Sequence, residues 1–118
     1  MGNAIKDKSF AFSVRIVKLC RYVRKEKREY EMANQLLRSG ISVGANVREA
    51  EQGESKKDFI HKMNIALKEA NESLYWIELM SATDILPEEF KNSIWKDCNE
   101  LISLLVSIIK TAKKKIEN

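Results

Sequence analysis

The stretch QLLRSGISVGANVREAE, residues 35–51, decides the architecture of this chain. Its apolar residues recur at the three- and four-residue spacing of one helix face, and Gly40 and Gly44 lie one turn apart on that face. A glycine inside a helix costs about 1 kcal/mol relative to alanine. Two glycines at this spacing indicate that a second backbone packs closely against the helix. A phosphate-binding loop is the alternative interpretation, but the segment has neither a flanking strand nor a Gly-Lys-Ser/Thr or GxGxxG motif.

The same periodicity predicts four helices, at residues 5–27, 31–52, 55–82 and 87–116. Ser55 suits the N-cap of the third helix, and Pro87 suits the first position of the fourth. The links between the helices are short. The sequence therefore predicts one domain over residues 1–118, an all-α antiparallel up-down-up-down four-helix bundle.

Two of the predicted helices are apolar on two sides. The main stripe of the first helix is formed by Phe12, Ile16, Leu19 and Val23, and the far side carries Phe10, Val14 and Val17. The third helix has a main stripe of Phe59, Met63, Ala66, Ala70, Leu74 and Ile77, and a second stripe of Ile65, Glu69, Glu72, Trp76 and Leu79. A helix with two apolar sides needs two partners. We therefore expect identical copies to cover one another in a homo-oligomer.

The fourth helix is predicted to bury a single stripe against the other three. That stripe consists of Phe90, Ile94, Cys98, Leu101, Leu105, Ile108 and Ala112. The two cysteines, Cys20 and Cys98, both fall in apolar stripes, so we interpret them as buried core thiols rather than as a disulfide or a nucleophile.

Composition excludes several classes of protein. No run approaches the ~18 apolar residues that a membrane span needs, and the first residues do not resemble a signal peptide, so a cytoplasmic protein is expected. Glu69 and Glu72 raise the idea of a di-iron centre, but that site needs Glu-x-x-His motifs and the chain has only His61. We predict no metal, no cofactor and no enzymatic activity.

The two glutamates are instead expected to pair with Arg38 and Arg48 of the second helix, either within the bundle or between subunits. Asn46 and Trp76 leave two interpretations open. Asn46 is an ordinary helix-surface residue or a contact to a ligand or partner, and Trp76 packs in an interface or stacks on a nucleic-acid base.

The net charge is +4, and the cations are clustered. The first cluster comprises Arg15, Lys18, Arg21, Arg24, Lys25, Lys27 and Arg28, and the second comprises Lys113, Lys114 and Lys115. Such clusters either bind along the length of a polyanion or form a solvated helix face. The preferred prediction is electrostatic, largely sequence-independent binding of RNA or DNA through a basic outer surface. A scaffold that binds a nucleic-acid enzyme, such as a reverse transcriptase, is the alternative.

Three blocks of the sequence resemble a known family. They are SFAFSVRIVKL at residues 9–19, RSGISVGANVREA at 38–50 and DFIHKMNIALKEANESLYWIEL at 58–79. In order and spacing they look like the bacterial four-helix-bundle proteins encoded within intervening sequences of 23S ribosomal RNA genes, and they are similar to the accessory variability proteins of diversity-generating retroelements. The resemblance implies a four-helix bundle that assembles into a ring-like homopentamer. It also implies, through the retroelement proteins, a basic exterior that engages nucleic acid and a reverse transcriptase.

Overall fold

The computed structural model describes residues 4–117. It consists of four α-helices, which are α1 (Ala4–Lys27), α2 (Glu31–Glu51), α3 (Lys56–Ala82) and α4 (Glu88–Glu117), and the described residues include no strand. Each helix begins and ends within one residue of its predicted position. The prediction of an all-α four-helix bundle is confirmed.

Local hydrogen bonds explain where the helices begin and end. The hydroxyl of Ser55 accepts from the backbone N–H of Asp58 at 3.1 Å and caps α3, as predicted. Beyond α1, Arg28 takes a left-handed backbone conformation with φ at 54°, and the next N–H, of Glu29, donates to the carbonyl of Val23. Asp84 takes a similar conformation after α3. These two tight turns reverse the chain with few residues.

Contacts between side chains show that neighbouring helices are antiparallel. Along α1, Arg15 lies beside Asp97 of α4, and Lys8 lies beside Glu100, which is farther toward the α4 C-terminus. Corresponding contacts join α2 to α3, where Ser39 meets Ser73 and Glu49 meets Lys62. The order around the bundle is therefore α1, α2, α3, α4 and back to α1, as in an up-down-up-down bundle.

The contact line between α1 and α2, here called the closed seam, explains the two glycines. A Cβ added to Gly40 would lie 2.7 Å from Cγ2 of the fully buried Ile16. A Cβ added to Gly44 would lie 3.1 Å from the hydroxyl oxygen of Ser13. The absence of side chains at these two positions lets the helices approach closely, as the glycine spacing predicted.

The core follows the predicted stripes with a few shifts. On α3, Ser73 occupies a buried position and donates to the Glu69 carbonyl, whereas the predicted Leu74 is only partly buried. Leu19 and Ile108 are also only partly buried. With 3.6 residues per turn, residues at a fixed spacing gradually rotate around the helix and away from the neighbouring helix. Both cysteines are buried free thiols, as predicted.

One predicted core residue lies at the surface. Phe90 is 45% exposed, so its assignment to the buried stripe of α4 is wrong. Phe90 is in the first turn of α4, and its ring meets Tyr22 of α1 edge to face, with 5.5 Å between the ring centroids. Leu86, in the preceding turn, is buried. The chain thus places Leu86 in the core at this end of the bundle and leaves Phe90 at the rim.

Among residues 4–117, no helix combines the length and apolar character that crossing a bilayer requires.

Candidate functional site

A row of cations runs along the outer face of α1. Lys18, Arg21 and Lys25, here called the basic row, succeed one another at three- and four-residue spacing, which places consecutive side chains about 5–6 Å apart at Cβ. All three are exposed, and none of them pairs with an acid of the described chain. Lys27 and Arg28 follow at the end of the helix and are exposed as well. The row thus presents uncompensated positive charge to solvent.

Two arginines of the same predicted cluster have partners inside the molecule. Arg15 forms an ion pair with Asp97 at 2.5 Å and donates to the Ser93 hydroxyl at 2.9 Å, so it connects α1 to α4. Arg24 donates to the side-chain oxygen of Asn34 and connects α1 to α2. These contacts hold the two guanidinium groups, whereas the basic row has no such contact among residues 4–117.

The second predicted cluster lies at the opposite end of the bundle. Lys113, Lys114 and Lys115 are exposed on the last turns of α4, where Lys115 lines a cavity with Lys56 and Phe59 at the start of α3. The chain therefore does not bring the two predicted basic clusters together. They form separate charged surfaces at the two ends of an elongated molecule that measures 51 × 23 × 20 Å.

The predicted pairing between α2 and α3 is present for Arg38. Its guanidinium donates to Glu69 at 3.1 Å and to Glu72, and the indole N–H of Trp76 donates to Glu72 at 3.0 Å. Hydrogen bonds from Arg38 and then from Trp76 lower the pKa of Glu72, and the hydrogen bond to Glu72 raises the pKa of Arg38. These contacts form a polar bridge along the exposed edge of the α2–α3 contact.

Arg48, the other predicted partner, takes no part in that bridge within one chain, and its pairing between subunits stays a prediction. Its guanidinium lies 5.9 Å from the ring centroid of Phe10. Arg48 is ten residues beyond Arg38, about 15 Å farther along α2. Because α3 is antiparallel to α2, this distance takes Arg48 away from the two glutamates of the bridge. Asn46, nearby, donates to the carbonyl of Ser42 at 2.9 Å, a contact within its own helix.

The two thiols are unsuited to nucleophilic chemistry. Burial raises the pKa of Cys20 to about 11 and that of Cys98 to about 12, because the thiolate is poorly stabilised in an apolar environment. Each Sγ lies 3.3 Å from a carbonyl of the adjacent helix, Ala33 for Cys20 and Ala70 for Cys98. Within residues 4–117, no group of three or more His, Cys, Asp and Glu side chains is arranged to hold a metal ion.

Beside the basic row, a small cavity opens between α1 and α4. This seam cavity has a volume of about 280 Å³ and is lined by Arg15, Lys18, Leu19, Tyr22, Phe90 and Ile94. Sequence reasoning missed it, because the periodicity of α4 assigned Phe90 to the core. The available signal was the position of Phe90 in the first turn after Pro87, where a helix has only begun to pack on its neighbours.

A match to a family model identifies the protein's relatives. The model described as 23S rRNA-intervening sequence protein matches residues 2–107. The chain belongs to this family. A search of curated proteins found no match.

A solved structure from Bacteroides thetaiotaomicron supports the same assignment. It is described as a protein with unknown function from the S23 ribosomal protein family. It is 53% identical to this chain, with a TM-score of 0.90, and the match covers 91% of this chain and 99% of the other. The predicted resemblance to the 23S rRNA-intervening sequence proteins is thus confirmed, and the relatives agree in fold without supplying a function.

Proposed function

We propose that this member of the 23S rRNA-intervening sequence family is a non-enzymatic protein that binds RNA or DNA through the basic row of α1. The observation that carries the proposal is the uncompensated charge of Lys18, Arg21 and Lys25 on one exposed helix face. Cations at this spacing neutralise successive phosphates, and the counterions that they release drive binding. The contacts are to phosphate and so carry no sequence preference.

The proposal also includes self-association, which would repeat the basic row around an oligomer. Phe10 is 58% exposed on α1, and Val14 and Ile41 are exposed close to it. With Arg48 beside the Phe10 ring, these residues form an apolar face next to the closed seam. A second copy of the chain is the occupant that the two-sided pattern of α1 favours. The number five comes from the resemblance alone, and two free thiols support a reducing, cytoplasmic setting.

A salt titration tests nucleic-acid binding. A labelled RNA strand is titrated with the wild type and with the triple variant K18Q/R21Q/K25Q at about 50 and 200 mM salt. The matched control is K113Q/K114Q/K115Q, which removes the same charge from the other end. We expect the first variant to lower the slope of log K against log salt by about 2–3, because about 0.7–0.9 of a counterion is released per phosphate contact. An equal effect of both variants would contradict the role of the basic row.

A scaffold for a nucleic-acid enzyme is the second candidate, and the exposed Phe10 face favours it, because a partner protein would cover the same apolar surface. Nuclease treatment separates the two candidates. A complex with a partner enzyme that survives complete digestion of nucleic acid supports the scaffold. Absence of RNA and DNA binding at about 50 mM salt removes the first proposal.

A further inference from the structure

The ring of Phe90 contacts α1 but is not buried by the fold. The ring packs edge to face against Tyr22 and keeps 45% of its surface exposed at the seam cavity. The apolar side chains of Ile94 and Leu19 also line that cavity. An aromatic ring held in place by a second ring, with part of its surface open, provides a preformed stacking platform.

Positive charge adjoins this platform. Lys18, the first member of the basic row, lines the seam cavity, and so does Arg15. The guanidinium of Arg15 is kept at the rim because Asp97 and Ser93 of α4 both accept hydrogen bonds from it. The Asp97 carboxylate is satisfied by this pair, so the free charge that faces an incoming anion is that of Lys18, continued by Arg21.

We propose that the seam cavity receives one base of a single-stranded nucleic acid, stacked against Phe90, while the basic row follows the phosphates of the same strand. This inference rests on the proposed function and deepens it by naming single strands as the ligand. Proteins that bind single strands combine a positive track with aromatic side chains on which bases stack. The two elements lie side by side here, because Lys18 belongs to both.

The shape of the site favours a single strand over a duplex. In a duplex the bases are stacked on one another, and only an unpaired base can enter a cavity between two helices. The volume of about 280 Å³ lies just below the usual range of about 300–1,000 Å³ for ligand pockets, which suits one planar base.

A second copy of the chain is a weaker candidate for this cavity. Phe10 and Ile41 of the exposed apolar face lie together on the α2 side of α1, whereas the seam cavity lies on the α4 side. Cations at the rim also match a polyanion better than they match another copy of a positively charged chain.

Substitution of Phe90 tests the stacking. Phe90→Leu keeps an apolar side chain but removes the aromatic face, and Phe90→Trp keeps an aromatic face. Affinities for a 20-nucleotide single-stranded RNA and for a duplex of the same length are measured by fluorescence anisotropy at one low salt concentration. We expect Phe90→Leu to weaken single-strand binding about five- to hundredfold, Phe90→Trp to retain it, and neither substitution to change duplex binding by more than about twofold.

Two controls separate stacking from other effects. Tyr75→Leu removes an exposed aromatic ring from α3, away from the cavity, and is expected to leave both affinities unchanged. A strand in which abasic sites replace the bases is expected to bind the wild type as weakly as the intact strand binds Phe90→Leu. Thermal melting of each variant shows that the fold is kept, and the Phe90→Trp variant reports on stacking even where the leucine variant is destabilised.

The outcomes distinguish the inference from the proposed function. If the wild type binds the single strand and Phe90→Leu binds it equally well, base stacking is overturned and electrostatic binding stands. Equal affinity of the wild type for the intact and the abasic strand leads to the same conclusion. If the wild type binds neither the single strand nor the duplex, both proposals are overturned together.

Discussion

Helix α1 packs against two neighbours, and the two contacts are built differently. On the α2 side, two glycines and small side chains bring the helices together, and Gly40 leaves room only for the Ile16 side chain. On the α4 side, here called the open seam, an Arg15–Asp97 ion pair, a Lys8–Glu100 ion pair and the Tyr22–Phe90 contact span a wider gap that contains the seam cavity.

The difference teaches that one helix can pack tightly on one side and leave accessible space on the other. Close packing requires small residues in register and excludes any ligand. Long polar side chains bridge a wider separation, remain partly hydrated and leave space between them. Lys18 and the exposed Phe90 ring both line the cavity of the open seam, whereas the rest of the basic row continues along the outer face of α1. Three experiments probe the contrast and a fourth tests the polar bridge between α2 and α3, from the largest expected effect to the smallest.

Thiol reactivity is the most sensitive measure of whether the tightly packed helix contacts become accessible to solvent. Cys20 lies in the closed seam and Cys98 in the α3–α4 contact, and burial raises the pKa of both thiols. At pH 8 the native protein should therefore react with iodoacetamide roughly a hundredfold or more slowly than the unfolded chain, because little thiolate forms and access is blocked. Mass spectrometry over time, with and without denaturant, measures the two rates.

A cysteine placed at the open seam is the control for this measurement. Ser93 is exposed beside Arg15, and Ser93→Cys should react at the rate of an ordinary exposed thiol. Equal protection of all three thiols would show that the two sides of α1 do not differ in accessibility.

The glycine pair provides the next largest effect, on stability. Gly40→Ala should lower the free energy of unfolding by about 1–3 kcal/mol, because the new Cβ displaces Ile16 in a packed core and the gain in helix propensity is smaller. Urea denaturation followed by circular dichroism measures the change.

Gly44→Ala is the matched control, because its new Cβ meets the hydroxyl of Ser13, a short side chain at a partly buried position. We expect stability to change by no more than about 1 kcal/mol, because the gain in helix propensity offsets the small shift that the Ser13 hydroxyl must make. A Gly40→Ala variant as stable as the wild type would contradict close approach at the closed seam.

Removal of the ion pair in the open seam should have a smaller effect. Asp97→Asn abolishes the charge that pairs with Arg15, and both side chains are about 40% exposed. We expect a loss of about 0.2–1 kcal/mol, since solvent screens such pairs. Glu100→Gln, which disrupts the longer Lys8 contact of 3.8 Å, should cost less still. A loss above about 2 kcal/mol for Asp97→Asn would show that the open seam depends on this pair for its integrity.

The smallest effect concerns the polar bridge between α2 and α3. Arg38 lowers the pKa of Glu72, so the folded protein holds this proton less tightly than the unfolded chain. The stabilisation is complete above the unfolded pKa near ~4.3 and is lost as the pH falls through the lower folded value. Glu72→Gln should therefore flatten the decline in stability between about pH 5 and pH 3, by no more than ~1 kcal/mol.

Melting temperatures of the wild type and the variant across this pH range measure the difference. Asn71→Gln, on the same helix but outside the bridge, should reproduce the wild-type pH dependence. Identical pH profiles for the wild type and Glu72→Gln would show that the bridge contributes nothing to stability.

The helices were predictable because their signals are local. Apolar spacing, Ser55 as a cap and Pro87 at a helix start all act within a few residues, and the helix ends accordingly lie within one residue of the predictions. The partner of Arg38 was also within reach, since Glu69 and Glu72 stand out as carboxylates on an apolar stripe. The partner of Arg15 was not, because Asp97 is 82 residues away and its orientation depends on how α4 is rotated.

By itself, the sequence determined the number of helices, their ends, the close approach at Gly40 and the presence of more exposed apolar surface than a bundle core requires. Only the tertiary structure decided that Phe90 lies at the rim, that Arg15 and Arg24 have internal partners and that the two lysine- and arginine-rich clusters lie at opposite ends. The physical reason is that periodicity specifies which face of a helix is apolar. The rotation and offset of each helix relative to its neighbours follow from packing the whole core at once.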